Sequence, residues 1–363
     1  MNPLNKIREL KQSIWLDLLD REIMRSGKLQ SLIDHDDLRG LTSNPAIFEK
    51  AISGSSDYDE DIVKLSKTEE DNAAIFFDLA ISDIQRAADI FKPVYDKTNG
   101  TDGFVSLEVS PFLARDTDGT IEQARELWKR VDRKNVMIKI PGTEEGLIAI
   151  RECLREGINI NVTLLFGLPR YKEVTEAYMG GLEDRLQEGN SISNVSSVAS
   201  FFLSRIDVMV DPMLEEKDGS NLKGKIAIAS AKKAYQIYLE MISSDRFKKL
   251  EEKGAQKQRV LYASTGAKDP SLSDVLYVES IIGNDTINTL PIETLDAFRD
   301  HGKAAETLTA HVDDAVKTME ELSDKGIDID KITKKLEDEG IEKFNQAYEK
   351  LIKSIDDKKR KKE

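Results

Sequence analysis

Residues Asn135–Thr143 read NVMIKIPGT. Neighbouring residues of a strand point to opposite faces. Val136, Ile138 and Ile140 therefore share one face, and Met137 and Lys139 the other. A Pro-Gly pair closes the run, as a turn does. The strand reads as interior, yet lysine is among the residues least often enclosed in a core. An ammonium group near the end of a buried strand asks for a chemical reason.

The same parity extends outward. In SIWLDLL, Ile14, Leu16 and Leu18 oppose Trp15 and Asp17. In GFVSLEVS, Val105, Leu107 and Val109 oppose Ser106 and Glu108. Around NINVTLLF, Ile158, Ile160, Val162 and Leu164 oppose Asn159, Asn161 and Thr163. One face is aliphatic, suited to lie under helices. The other is polar toward the strand ends. An open doubly wound sheet would bury aliphatic residues on both faces. Further strands are read at GLTSN, NVSSVASFF, RVLYAST and DTINTL, alternating with helical patterns such as TIEQARELWKRVDRK and EEGLIAIRECLREG. Eight such units predict an α/β fold, a (β/α)8 TIM barrel, whose size range includes this chain. A single domain is expected over 1–363. It has a helical segment at 1–12 and extra C-terminal helices from about 296 to 363, with an apolar stripe at Ile341, Phe344, Tyr348, Leu351 and Ile352.

Composition narrows the function classes. The 363 residues are 39% hydrophobic and 33% charged, with a formal net charge of -14. Such a chain has no bulk attraction to nucleic acid or to an anionic membrane, so any anionic metabolite must meet a few local cations. No apolar run approaches the roughly 20 residues of a bilayer span, and the N-terminus lacks the apolar core of a signal peptide. With one cysteine, Cys153, in a helical pattern, these features predict a cytoplasmic protein. No dinucleotide fingerprint or P-loop follows a strand. His35, His301 and His311 are scattered and read as surface or capping residues, so neither a metal nor a cofactor is expected. The basic tail DDKKRKKE reads as a solvated, frayed end.

Active sites of these barrels lie at the C-terminal ends of the strands. The inward polar residues there are Asp17, Thr42, Asn44, Glu108, Lys139, Asn161, Thr163 and Ser200. A buried lysine among carboxylates has a structural explanation as an internal ion pair. The surrounding Asn, Thr and Ser side chains favour chemistry instead, since an ion pair alone does not require them. A neutral amine can attack a carbonyl, lose water and leave an iminium that withdraws electrons from the adjacent carbon–carbon bond. Carboxylates then serve as acid and base.

At this point the motifs GLTSNPAIFEKAI, VSLEVSP, VMIKIPGT, INVTLLF and SVASFFLSRID resemble, in order, those of the transaldolase family. The opening strand SIWLDLLDREI and the late DTINTLP are similar as well, and the long C-terminal region resembles the longer bacterial members. The resemblance implies transfer of a dihydroxyacetone unit from sedoheptulose 7-phosphate to glyceraldehyde 3-phosphate, giving erythrose 4-phosphate and fructose 6-phosphate, without cofactor. It implies Lys139 as the Schiff-base residue, Asp17 as the acid/base at the C4 hydroxyl, and Glu108 with Thr163 as the pair that holds a water for proton transfer. Asn44 and Asn161 would hold the dihydroxyacetone hydroxyls, with Thr42 and Ser200 behind them. Arg205 would bind phosphate.

One stretch departs from the family pattern. Where many members have Ser-Phe-Arg after the seventh strand, this chain reads ASTGAKDP, with Gly266 in place of the arginine. Ser264 remains, and Lys268 is expected to take over part of the phosphate contact. The C-terminal helices are candidates for a lid over the mouth. Two other readings stay open: cleavage of fructose 6-phosphate to free dihydroxyacetone, as in the related aldolases, and a non-catalytic sugar-phosphate-binding barrel. The Met-, Phe- and Tyr-bearing outer helices fit either a homodimer interface or monomer core.

Overall fold

The computed structural model describes residues 2–360. Eight parallel strands among the described residues close into a barrel in sequence order. They are β1 (Gln12–Asp17), β2 (Gly40–Thr42), β3 (Phe104–Glu108), β4 (Val136–Pro141), β5 (Ile160–Leu165), β6 (Ser197–Phe202), β7 (Arg259–Ala263) and β8 (Thr286–Leu290). β1 pairs with β8, placing Trp15 beside Thr289, and this closes the ring. Helices follow the strands and cover the aliphatic face, as the parity predicts.

Local chemistry sets the turns from strand to helix. After β4, Thr143 caps the helix Glu144–Glu156 by accepting from the Gly146 amide at 2.9 Å, and its hydroxyl donates to the Ala114 carbonyl at 2.5 Å. Gly146 has no alternative here, because a Cβ would lie 2.0 Å from the Pro141 carbonyl oxygen. After β2, Asn44 caps Pro45–Gly54 by accepting from the amides of Ala46 and Ile47. Inside the barrel the Trp15 ring fills the place of a side chain at its register partner Gly40, where a Cβ would lie 2.5 Å from the indole.

Two features depart from the sequence reading. The inward–outward alternation of β5 breaks at Leu164, whose φ is +54°, and the register against β6 shifts between Val162 and Leu165. This is a β-bulge, which re-aims the strand end. The basic tail is also not simply solvated. The last helix runs from Ile329 to Arg360, and Lys358 donates to the Ser55 carbonyl at 2.7 Å while Lys359 donates to Asn72 Oδ1 at 2.9 Å. The rest of the tail lies outside the described residues. At the other end the first helix spans Pro3–Glu9, and Gln12 already belongs to β1.

The helix Ile329–Arg360 positions the site. It packs against the segments that leave β2, β3 and β6 and against β5 itself, so it crosses the C-terminal face of the barrel. Ile341, Phe344, Tyr348 and Leu351 are buried beneath it. Each such side chain contributes about 1.5–3 kcal/mol. The large apolar side chains left exposed, Phe112, Ile148, Val208 and Val316, stand on separate elements. The other outer-helix aromatics therefore largely serve the core of one chain. No helix among the described residues is long and apolar enough to cross a membrane.

Candidate active site

Register brings the chemistry together. Glu108 on β3, Lys139 on β4 and Asn161 on β5 are successive Cα partners, so they stand level at the C-terminal end of the barrel. Lys139 is 4% exposed. Its Nζ lies 3.2 Å from Glu108 Oε2 and donates to the Ser43 carbonyl at 3.0 Å. Burial pushes the Glu108 carboxyl up to about 7, and the charge of Asp17 adds to this; the Lys139 ammonium opposes both. Glu108 Oε1 and Thr163 Oγ1 are buried without a hydrogen-bond partner in the protein. Two orphaned polar atoms beside an ammonium are what a held water or a substrate oxygen would satisfy.

Asp17 ends β1, half-buried, level with its register partner Thr42. Thr42 donates its hydroxyl proton to Asp17 Oδ1 at 2.7 Å. Thr42 and Thr289 Oγ atoms are 2.8 Å apart. A hydroxyl has one proton, so Thr289 is the donor to Thr42. Burial raises the Asp17 carboxyl; Lys139 and the Thr42 bond pull it back, and Arg205 and Lys268 do so more weakly. Asn161 is held by two partners: Ser200 donates to its Oδ1 at 2.6 Å, and its Nδ2 donates to Ser106 Oγ at 3.0 Å. One amide proton is left over for a ligand. The Asn44 oxygen is occupied as a helix cap, which leaves its amide nitrogen.

Cations stand at the outer side of the mouth. Arg205 lies in the first turn of the helix Ser204–Glu215. Its Nη1 is buried without a partner, and its guanidinium lies 5.6 Å from the Phe202 ring centroid. Burial lowers its pKa, which Asp17 and Glu339 oppose. The Ser204 and Ser264 hydroxyls meet at 2.9 Å, with Ser264 in the left-handed region at φ +55°. Lys268 is exposed. Its Nζ lies 4.0 Å from where a Cβ of Gly266 would be, so it reaches back toward the space that a side chain at 266 would enter.

A family model described as transaldolase/fructose-6-phosphate aldolase matches residues 14–355. The chain belongs to this family. It is 46% identical to a transaldolase of Trichodesmium erythraeum, covering 99% of this chain and 98% of that protein. It is likewise 46% identical to transaldolase 2 of a Nostoc species over 99% and 98%. It is 43% identical to a transaldolase of Thiobacillus denitrificans over 98% and 100%.

Within this transaldolase/aldolase barrel, three residues join the site that the sequence reading did not name for it, two by their side chains and one by its backbone. Ser106 is inward by the same parity that found Glu108, so its signal was present. Thr289 lies across β1 from Thr42 and shares its parity with Ile287, so alternation along DTINTL points to Thr286 and Asn288 instead and gave no signal for it. Ser43 acts through its carbonyl, which no side-chain pattern reports. The histidines play no part: His35, His301 and His311 are exposed, and no group of His, Cys, Asp and Glu among the described residues could hold a metal ion.

Proposed function

We propose that this chain is a transferase of the transaldolase type, moving a dihydroxyacetone unit between sugar phosphates of the non-oxidative pentose phosphate pathway in the cytoplasm. The donor is sedoheptulose 7-phosphate and the acceptor glyceraldehyde 3-phosphate. Lys139 passes a proton to Glu108, and its neutral amine attacks the donor C2 carbonyl. Glu108 and a water held with Thr163 carry protons to the departing oxygen, and water leaves as the iminium forms. Asp17 takes the C4 hydroxyl proton. The C3–C4 bond then breaks, its electrons enter the iminium, and erythrose 4-phosphate departs. The remaining enamine attacks the acceptor aldehyde, whose oxygen takes back the proton from Asp17. Hydrolysis of the new iminium releases fructose 6-phosphate.

In this reading Asn44 and Asn161 bind the dihydroxyacetone hydroxyls through their amide nitrogens. Thr42 and Ser200 fix Asp17 and Asn161. Arg205, Ser264 and Lys268 receive the phosphate. All of these side chains come from one chain, so a homodimer is compatible with the mechanism but not needed by it. The observation that carries the reading is the Lys139 ammonium, enclosed at the barrel mouth 3.2 Å from Glu108. Borohydride reduction in the presence of fructose 6-phosphate should attach a reduced sugar to the Lys139 peptide and nowhere else. Lys139→Ala should stay unmodified. An adduct on another lysine would sink the assignment. Simple aldol cleavage uses the same lysine. The acids Asp17 and Glu108 and the helix across the mouth favour transfer, and product formation with and without an acceptor aldehyde separates the two.

A further inference from the structure

The opposite end of the barrel holds a second candidate site. A cavity of about 270 Å³ is lined by Arg8, Lys11, Arg39, Lys97 and Arg259, with Asp102 as its acid. It lies among the N-terminal ends of the strands: Arg259 begins β7, Arg39 precedes β2 and Asp102 precedes β3. Lys139 is at the other end, so this cavity is no part of the active site.

The charges there are out of balance. Arg259 bridges Asp102 at 2.9 Å and Ser13 Oγ at 3.1 Å. Asp37 serves both Arg8, at 3.3 Å, and Arg39. Among the described residues Lys11 and Lys97 have no carboxylate within ion-pair distance. Five cations thus share two carboxylates, on a chain whose net charge is -14. Helix C-termini attract cations, and this accounts in part for Arg8 at the end of Pro3–Glu9 and Lys97 at the end of Asn72–Lys97. It does not account for Arg39 and Arg259, which come from strand ends. Arg39 is only 8% exposed, an unusual degree of burial for a guanidinium beside other cations.

We infer that this cavity binds a small phosphate-bearing anion. Guanidinium forks and free ammonium groups suit a phosphate dianion. The volume falls just below the roughly 300–1,000 Å³ of ordinary ligand pockets. No aromatic side chain lines the cavity to stack a base, which argues against a nucleotide. The occupant would tie together the lower ends of β1, β2, β3 and β7. A ligand that binds only the folded state raises the melting temperature.

The test compares sodium phosphate with sodium chloride at matched ionic strength, reading the melting temperature of three proteins: the unaltered chain, Lys11→Gln/Lys97→Gln, and Arg205→Ala. Both lysines are exposed, so the double variant should fold and should keep transfer activity. Phosphate should raise the melting temperature of the unaltered chain and of Arg205→Ala by about 1–3 °C, and that of the double variant by clearly less, since only the contacts at the barrel mouth remain there. A shift that is absent from the unaltered chain, that is undiminished in the double variant, or that vanishes in Arg205→Ala overturns the inference. Repeating the series with glycerol 3-phosphate shows whether an ester or the free ion binds more tightly. Neither arm depends on the Schiff-base chemistry.

Discussion

At the scale of single residues, the pair Glu108–Lys139 sets the pH dependence. Attack needs a neutral amine, and Glu108 can accept the proton only while it is ionised. Its carboxyl is pushed up to about 7 by burial, so protonation below that point blocks the transfer. The kcat/KM profile should therefore fall on the acid side with an apparent pKa near 7, a value that belongs to the coupled pair. Glu108→Gln should lose that limb and lower kcat by about 10²–10⁴-fold. An unchanged limb in the variant would assign the titration elsewhere. Lys268 permits a different measurement. Lys268→Ala should raise KM for phosphorylated donors by roughly tenfold and leave kcat within about twofold, as expected for a charged contact made equally in ground and transition states. An unmoved KM would make Lys268 an ordinary loop lysine. Glu108 and Lys139 were legible because strand parity reports direction: a polar side chain on the inward parity of an otherwise aliphatic strand must have partners, whereas Lys268 came from the departure of ASTGAKDP from the family pattern. Parity carries no information on distance or protonation. It could not show that Asn44 spends its oxygen on a helix cap, or that Ser43 contributes only a carbonyl.

At the scale of elements, the site depends on the close approach of the last helix to the bulged end of β5. Gly340 makes that approach possible. A Cβ there would lie 3.0 Å from Leu164 Cδ2, 3.6 Å from Phe166 and 3.8 Å from Arg205 Nη1. Glycine within a helix costs about 1 kcal/mol relative to alanine, so its position at this contact has a steric reason. Gly340→Val should lift the helix from Leu164 and disturb Arg205. KM for phosphorylated substrates should rise by about tenfold, and more free dihydroxyacetone should escape per transfer as water reaches the enamine. Gly340→Ala should do less, because the Leu164 methyl can yield while helix propensity improves. Measured dihydroxyacetone release equal to that of the unaltered chain would remove any shielding role for this helix. The stripe from Ile341 to Leu351 announced that the helix is buried, but not on what. The bulge was hidden for a related reason: a period of two holds from Asn161 to Leu164, the paired leucines that follow read as ordinary core, and only pairing with β6 reveals the shift between Val162 and Leu165.

At the scale of the whole molecule, acidity is divided between two environments, and composition alone does not separate them. Surface carboxylates such as Asp89, Glu183 and Asp184 are held low by bonds from Arg133, Arg246 and Arg151. They contribute stability above the ordinary carboxylate range and lose it as pH falls through their lowered values. Asp17, Asp83, Glu108 and Asp207 behave in the opposite sense, because burial raises each of them. A raised carboxyl binds more protons folded than unfolded, so its contribution is present below the unfolded value and is lost as pH rises through the folded one. Asp207 isolates this effect away from the catalytic lysine. It is 2% exposed, accepts from the Ala227 amide at 2.8 Å and from the Tyr277 hydroxyl at 2.8 Å, and is pushed up to about 7. From its ordinary 3.8 that shift corresponds to up to about 4 kcal/mol. The urea midpoint should accordingly be higher at about pH 5.5 than at about pH 8. Asp207→Asn keeps an acceptor for Ala227 and cannot ionise. It should flatten that slope and match or exceed the unaltered chain at the alkaline end, whereas Asp207→Ala, which orphans the Ala227 amide, should be less stable at both. A slope unchanged in Asp207→Asn would mean that this carboxyl is ionised in the fold throughout the range, its two donors outweighing its burial.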